Sequence, residues 1–142
     1  MEGLGFLLLT IQTVPELGWS RGLHVALFHS VSAFNNAGFS LFSDNLMGYR
    51  GDWVVNLTIC ALVICGGLGF VVLTEVGRTR RLRALSGHTR LVLVMSGALI
   101  VFAAVFIFLV ERGNPRTLGS ISLPDAALAA FFQAVVPRTA GF

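Results

Sequence analysis

Charged residues are scarce in this chain of 142 residues, and lysine is absent from it. Charged side chains make up 12% of the sequence, whereas soluble domains average about 25%. Hydrophobic residues make up 55%, and the mean hydropathy is +0.81. These values exclude an ordinary soluble globular domain and predict a membrane protein.

All ten basic residues are therefore arginine, and the formal net charge is +3. Half of them lie in one short segment: Arg78, Arg80, Arg81, Arg83 and Arg90. Because half of the basic charge is concentrated in this one segment, it does not indicate a nucleic-acid partner. A loop that carries several arginines beside apolar runs is typical of the cytoplasmic side of a membrane protein.

Cysteine is also rare, with two residues in the whole chain, Cys60 and Cys65. Both lie in an apolar run, where cysteine behaves as a small buried hydrophobic residue, so neither a disulfide nor a metal site is indicated. The segment from Met1 to Pro15 has no basic start and no small-residue cleavage site. The sequence therefore does not predict a cleaved signal peptide.

Two uncharged runs, 53–74 and 91–110, are each long enough to cross about 30 Å of hydrocarbon as a helix. The arginine-rich link over 75–90 joins them and is predicted to be cytoplasmic. Segments 15–52 and 111–142 would then lie toward the outside. The first run contains Gly66, Gly67 and Gly69, which do not have the spacing of a dinucleotide-binding loop and are expected to allow close helix packing.

Three other apolar stretches are too short or too polar to span a membrane. Residues 3–14 provide about a dozen positions before Pro15, which predicts a truncated outer helix. Segment 22–43 is uncharged but holds histidine, asparagine and serine, which a lipid-facing span would not tolerate. Segment 124–142 opens with residues favoured in a first helical turn and is expected to break at Pro137.

Two of these stretches resemble each other. ALFHSVSAFNNAGF at 26–39 and AAFFQAVVPRTAGF at 129–142 align at an offset of 103 and both end in Ala-Gly-Phe. We interpret the chain as repeated units of outer helix, half-helix, Ala-Gly-Phe loop and inner helix. Residues 1–74 form most of one unit, with a pore loop at 22–43 and an inner helix at 53–74. Residues 91–142 form the start of the next, with an outer helix at 91–110 and a pore helix and filter at 124–142.

A half-helix followed by a glycine loop is typical of an ion filter. Irregular backbone at membrane depth is tolerated only where protein buries it or where it lines a cavity. In a filter, backbone carbonyls replace the hydration shell of a cation, and glycine admits the positive φ that such a turn needs. Gly38 and Gly141 are the residues suited to this role, and the negative end of the preceding helix favours a cation.

The filter segments identify a family resemblance. HSVSAFNNAGFSLF at 29–42 and PRTAGF at 137–142 resemble the second and third filter segments of the Trk/Ktr/HKT superfamily of potassium transporters. GGLGF at 66–70 is similar to the start of the second-repeat inner helix of that superfamily. The resemblance covers essentially the whole chain, although Pro137 stands where the family usually has threonine.

The resemblance implies an all-α membrane protein with four such units in each subunit, of which this chain is a fragment. It also implies potassium uptake across the plasma membrane, a homodimer, contact with membrane lipid, a cytosolic nucleotide-binding regulatory ring, and no organic cofactor. The carbonyls that coordinate potassium would come from two loops: Asn36, Ala37 and Gly38, and Thr139, Ala140 and Gly141. Residues expected to support the filter are Asn35, Phe39, Arg138 and Phe142.

Several side chains allow two interpretations. Asn35 could hold the filter strand or cap the helix that precedes it. Arg138 is expected to brace the second loop rather than to contact the ion. His24 and His29 are five residues apart with no third ligand nearby, which favours packing or capping over a metal site. Glu75 is either functional or one half of an i,i+3 pair with Arg78.

Potassium uptake is not the only function that the sequence allows. A non-conducting accessory subunit, or a truncated inactive product, is the main alternative to potassium uptake. A membrane hydrolase using Ser30 or Ser32 with His29 as base is disfavoured, because neighbouring helical residues do not face each other, and the chain is predicted not to be an enzyme. The arginine cluster could set topology, bind anionic lipid or dock the cytosolic regulator, the last through Arg80, Arg81 and Arg83.

Overall fold

The computed structural model describes residues 1–79, 84–138 and 140–142. Regular structure in these ranges is entirely helical, which confirms the predicted all-α class. The α-helices are α1 (Glu2–Leu17), α2 (Trp19–Phe34), α3 (Trp53–Leu68), α4 (Phe70–Thr79), α5 (Gly87–Glu111) and α6 (Leu123–Val135). Short 3-10 helices follow at Met47–Tyr49, Leu118–Ser120 and Val136–Arg138.

The first unit is built by α1, α2 and α3, which pack against one another. The α1–α2 contact is close because Gly22 presents no side chain, and a Cβ there would lie 2.6 Å from the Cα of Val14. The hydroxyl of Thr13 donates to the Gly22 carbonyl at 2.9 Å. Pro15 does not end α1, which runs to Leu17, because a proline in the last turn removes one hydrogen bond and leaves the earlier ones intact.

The segment between the first loop and α3 is held on the first unit by polar side chains. Tyr49 donates its hydroxyl to the carboxylate of Glu16 at 2.6 Å, and Asn56 donates to the Tyr49 carbonyl at 2.7 Å. Burial, followed by the hydrogen bond to Glu16, raises the pKa of the Tyr49 phenol above its usual range. The phenol therefore remains a donor, and the segment is anchored to both α1 and α3.

The inner helix departs from the continuous helix predicted over 53–74. It begins after Asp52, whose carboxylate accepts the amide of Val55 at 3.0 Å, and it ends at Leu68. Gly69 then adopts φ 82°, and α4 leaves at a bend of 101°. A left-handed residue ends an α-helix and glycine takes this conformation without steric cost, so Gly69 acts as a breaker and not as the packing residue that was expected.

Of the described helices, α5 alone has the length and hydropathy of an unbroken membrane span, and α3 with α4 qualifies as one bent span. The outer helix predicted over 91–110 lies within α5. The N-cap of α5 is Ser86, whose hydroxyl accepts the amide of Thr89 at 3.3 Å. Much of the apolar surface of α5 is exposed, as a helix facing lipid or another part of a larger protein would be.

A carboxylate from α4 joins the two units at this N-cap. Glu75 accepts hydrogen bonds from the amide and the hydroxyl of Ser86 and from the hydroxyl of Thr89. Its side chain therefore interacts with the start of α5, and not with Arg78 as one sequence interpretation had it. These bonds place the Glu75 carboxylate at the N-terminus of α5, which is the positive end of the helix dipole. Arg80, Arg81 and Arg83 lie outside the described residues.

We expect Ser86→Ala to lower the apparent midpoint of thermal unfolding of the detergent-solubilised protein. Alanine removes both the cap of α5 and a donor to Glu75, and loss of a helix N-cap costs about 0.5–2 kcal/mol. Ser20→Ala is the matched control, because Ser20 is exposed in the first turn of α2. Equal midpoints for the two variants would show that the contact between α4 and α5 contributes nothing to stability.

The second unit continues from α5 into α6, which packs against both α5 and α3. Ser122 caps α6 by accepting the amide of Asp125 at 3.3 Å, and Pro124 occupies the first turn. The α-helix ends at Val135 and tightens into the 3-10 turn that contains Pro137. The contact with α3 places the end of this half-helix against the first unit.

Candidate ion filter

The first loop begins where α2 ends. Asn35 is the C-cap, and Asn36 and Gly38 have φ of 53° and 70°. The amide of Ala37 donates to the carbonyl of Ser32 at 2.8 Å, which folds the chain back over the last turn of the helix. The left-handed φ of Gly38 is the conformation that the sequence led us to expect at this position.

The hydroxyl of Ser32 fastens the far side of this loop. It donates to the carbonyl of Phe39 at 2.8 Å and accepts the amide of Phe39 at 3.0 Å. Both backbone groups of the residue after Gly38 are therefore bonded to one buried side chain of α2. The sequence did not assign Ser32 to the filter; its position one turn before the end of a half-helix, facing the Ala-Gly-Phe segment, was the available signal.

The second loop has a similar start. The amides of Ala140 and Gly141 both donate to the carbonyl of Val136, at 3.0 and 3.1 Å, and Gly141 has φ 75°. Ala140 is buried against the hydrophobic core. Thr139 and the side chain of Arg138 lie outside the described part of the chain.

The two loops meet, although 103 residues separate the aligned positions. A Cβ built on Gly38 would lie 1.4 Å from the carbonyl oxygen of Ala140 and 2.5 Å from its carbonyl carbon. Real atoms cannot approach so closely, so the backbone of the second loop occupies the space where any other residue would place a side chain. Gly141 differs, since no neighbouring atom of the described residues lies within 4 Å of the position of its Cβ.

The residues expected to support the filter differ in their surroundings. The amide of Asn35 donates to the carbonyl of Val31 at 2.9 Å and to the carboxylate of Glu2 at 3.0 Å, which favours the capping interpretation. The side chain of Phe39 is 69% exposed, and its backbone alone is tied to α2. Phe142 packs against the hydrophobic core, where its ring faces His29.

The inner helix supports the end of α2 from behind. A Cβ on Gly66 would lie 1.8 Å from the carbonyl oxygen of Phe34 and 2.8 Å from the side-chain nitrogen of Asn36. This close approach agrees with the packing role expected for Gly66. The last turn of the first half-helix therefore rests directly on the backbone of α3.

The sequence of this chain is similar to those of known cation transport proteins. A family model described as TrkH, Cation transport protein, matches residues 2–142. The chain is 51% identical over 142 residues to "Ktr system potassium uptake protein B" of Bacillus subtilis (strain 168), covering 100% of this chain and 32% of the relative. A protein of the same name from Vibrio alginolyticus is 47% identical over 143 residues, covering 99% of this chain and 31% of the relative.

A more distant relative is named "Potassium/sodium uptake protein NtpJ", from Enterococcus hirae, and is 33% identical over 142 residues, covering 100% of this chain and 31% of the relative. The chain thus spans about a third of the length of these curated relatives. The match to the family model extends over nearly every residue, which confirms the resemblance drawn from the two filter segments. The chain belongs to the TrkH family of cation transport proteins.

Proposed function

We propose that this chain supplies two of the filter loops of a membrane subunit that takes up potassium, and that K⁺ passes along the backbone carbonyls of those loops. The observation that carries the proposal is the contact between Gly38 and the Ala140 carbonyl, with left-handed φ at Gly38 and Gly141. Loops that touch across two repeated units are what a filter arranged around one axis requires.

The half-helices favour a cation at the same place. α2 ends at Phe34 and α6 at Val135, so the C-terminus of each helix lies beside its own loop. Each C-terminus carries a partial negative charge of about half an elementary charge. The coordinating carbonyls are those of Asn36, Ala37 and Gly38 in the first loop, with Thr139, Ala140 and Gly141 in the second. No covalent step is part of this transport.

The proposed filter also implies a transported ion, a membrane topology and a set of partners. The names of the relatives support potassium as the transported ion. We place the link over 75–90 in the cytoplasm and both filter loops toward the outside of the plasma membrane, in a homodimer that contacts lipid and a cytosolic nucleotide-binding ring. If the ring docks on the arginines of the link, changing Arg80, Arg81 and Arg83 to glutamine will reduce its binding in a pull-down.

Ion uptake by the complete transporter that contains these residues tests the function. Purified protein is reconstituted into liposomes, and K⁺ and Na⁺ uptake are measured separately under the same ion gradient. We expect K⁺ uptake that exceeds Na⁺ uptake. Liposomes that take up neither ion, although the protein is folded and correctly inserted, would favour the accessory-subunit alternative.

A further inference from the structure

His29 lies behind both filter loops, in the part of α2 that precedes Ser32. Its side chain is 2% exposed. Its ring stacks on Phe42, with centroids 5.2 Å apart and an interplanar angle of 23°, and faces Phe142 at 6.3 Å. Phe42 follows the first loop and Phe142 follows Gly141 directly. One buried ring therefore contacts the chain downstream of both loops.

The two ring nitrogens are bonded to different parts of the structure. Nδ1 lies 2.9 Å from the carbonyl of Val25, which can only accept, so Nδ1 carries a proton and donates. Nε2 lies 3.0 Å from the hydroxyl of Ser40. One nitrogen thus fixes the ring on α2, while the other reaches the segment that leaves the first loop.

Ser40 extends the contact along that segment. Its hydroxyl donates its one proton to Nε2 of His29, and its oxygen accepts the amide of Phe42 at 3.1 Å, while the carbonyl of Asn45 lies 3.3 Å from the same oxygen. Together with the Ser32 bonds to Phe39, one face of α2 holds two consecutive residues just beyond Gly38. A buried imidazole is costly unless both nitrogens are paired, and here both are.

We propose that His29 is a positioning residue that holds the two filter loops in register. The inference rests on the proposed filter function and deepens it. A flexible hydrophobic side chain would fill the same space, but it would not fix Ser40 or present a flat rigid face to Phe42 and Phe142. Selectivity among cations depends on how closely the backbone carbonyls keep their spacing. Loosening this contact is therefore expected to lower the selectivity for K⁺ over Na⁺ more than it lowers the stability of the fold.

The test compares K⁺ and Na⁺ uptake by the complete transporter carrying His29→Phe, which keeps a flat ring and removes both hydrogen bonds. We expect the K⁺/Na⁺ uptake ratio to fall about fivefold to tenfold, the size expected for loss of one or two buried hydrogen bonds. Ser40→Ala removes one hydroxyl and is expected to lower the ratio about as much. The double variant should lose little more than either single variant, because both act through one contact.

His24→Phe is the matched control, since His24 lies five residues earlier on α2 and is exposed. It is expected to keep the wild-type ratio. His29→Gln can still reach Ser40 with its amide and is expected to recover part of the ratio. If His29→Phe fails to accumulate in the membrane, Ser40→Ala provides the same comparison.

A wild-type ratio in both His29→Phe and Ser40→Ala, with the ratio lost in Gly38→Ala, would overturn the role of His29 and leave the filter standing. A wild-type ratio in Gly38→Ala as well would instead contradict the filter itself. Fully additive losses in the double variant would also overturn the proposal, because they would show that His29 and Ser40 act independently.

Discussion

Gly38→Ser is expected to abolish most of the preference of the complete transporter for K⁺ over Na⁺. Two independent constraints act at this position. The φ of 70° is disfavoured for any residue with a Cβ, and that Cβ would also overlap the Ala140 carbonyl oxygen at 1.4 Å. A strained backbone conformation costs about 1–3 kcal/mol, which corresponds to about one to two factors of ten in an equilibrium.

The overlap involves backbone on both sides, so it cannot be relieved by rotating a side chain. Either the first loop changes its φ or the second loop moves away, and both outcomes alter the spacing of the proposed coordinating carbonyls. The K⁺/Na⁺ uptake ratio of reconstituted protein measures the effect, and Gly38→Ala separates the overlap from the chemistry of a hydroxyl. A ratio unchanged in both variants would remove the filter assignment.

Gly141 provides the matched comparison, because it has a similar φ of 75° and the first loop does not occupy the position of its Cβ. Gly141→Ala is therefore expected to strain the backbone without overlapping the first loop, and to lower the ratio less than Gly38→Ala does. Asparagine tolerates the left-handed region better than alanine does. Gly141→Asn is thus expected to recover part of the ratio, whereas Gly38→Asn is not.

Gly66→Ala is expected to have the largest effect on stability. Its Cβ would lie 1.8 Å from the carbonyl oxygen of Phe34, so α3 and the last turn of α2 must separate. Forced separation of packed elements costs about 1–3 kcal/mol and occasionally more. The apparent midpoint of thermal unfolding in detergent and the amount of folded protein in the membrane measure this effect.

Gly97→Ala is the control for Gly66→Ala. Gly97 lies within α5, and no neighbouring atom in the part of the chain that the structure describes comes within 4 Å of the position of its Cβ. Alanine is also the better helix former, by about 1 kcal/mol, so this variant is expected to be at least as stable as the wild type. A similar loss in both variants would show that helix packing at Gly66 is not the cause.

The bend at Gly69 is a feature that the local sequence does not predict. Residues 53–74 contain no charge, and this pattern predicts one helix that crosses the membrane. Glycine is compatible with both a helical and a left-handed conformation at small cost, so hydropathy does not distinguish a bent inner helix from a straight one. The choice depends on what α3 and α4 contact, and the apolar run does not contain that information.

The local sequence also does not predict the hydrogen-bond partners of the side chains around the loops. The sequence is compatible with two roles for Asn35, because an asparagine at a helix end can hydrogen-bond either to its own helix or to the filter strand that follows. Its hydrogen bond to Glu2 depends on where α1 packs. The sequence also does not show that Ser32 and His29 hold the first loop. Their partners, Phe39 and Ser40, lie at distances along the chain that no helical periodicity predicts.

The sequence by itself determined the membrane class, the half-helices that carry the two loops, the left-handed φ of Gly38 and Gly141 and, through its two Ala-Gly-Phe segments, the family. These properties depend on hydropathy, helix caps and backbone freedom, which act over a few residues. The tertiary structure alone decided that Gly38 touches Ala140, that Gly66 supports Phe34, and that one histidine faces both loops. Such contacts join residues far apart in the chain, and they exist only after the helices have packed.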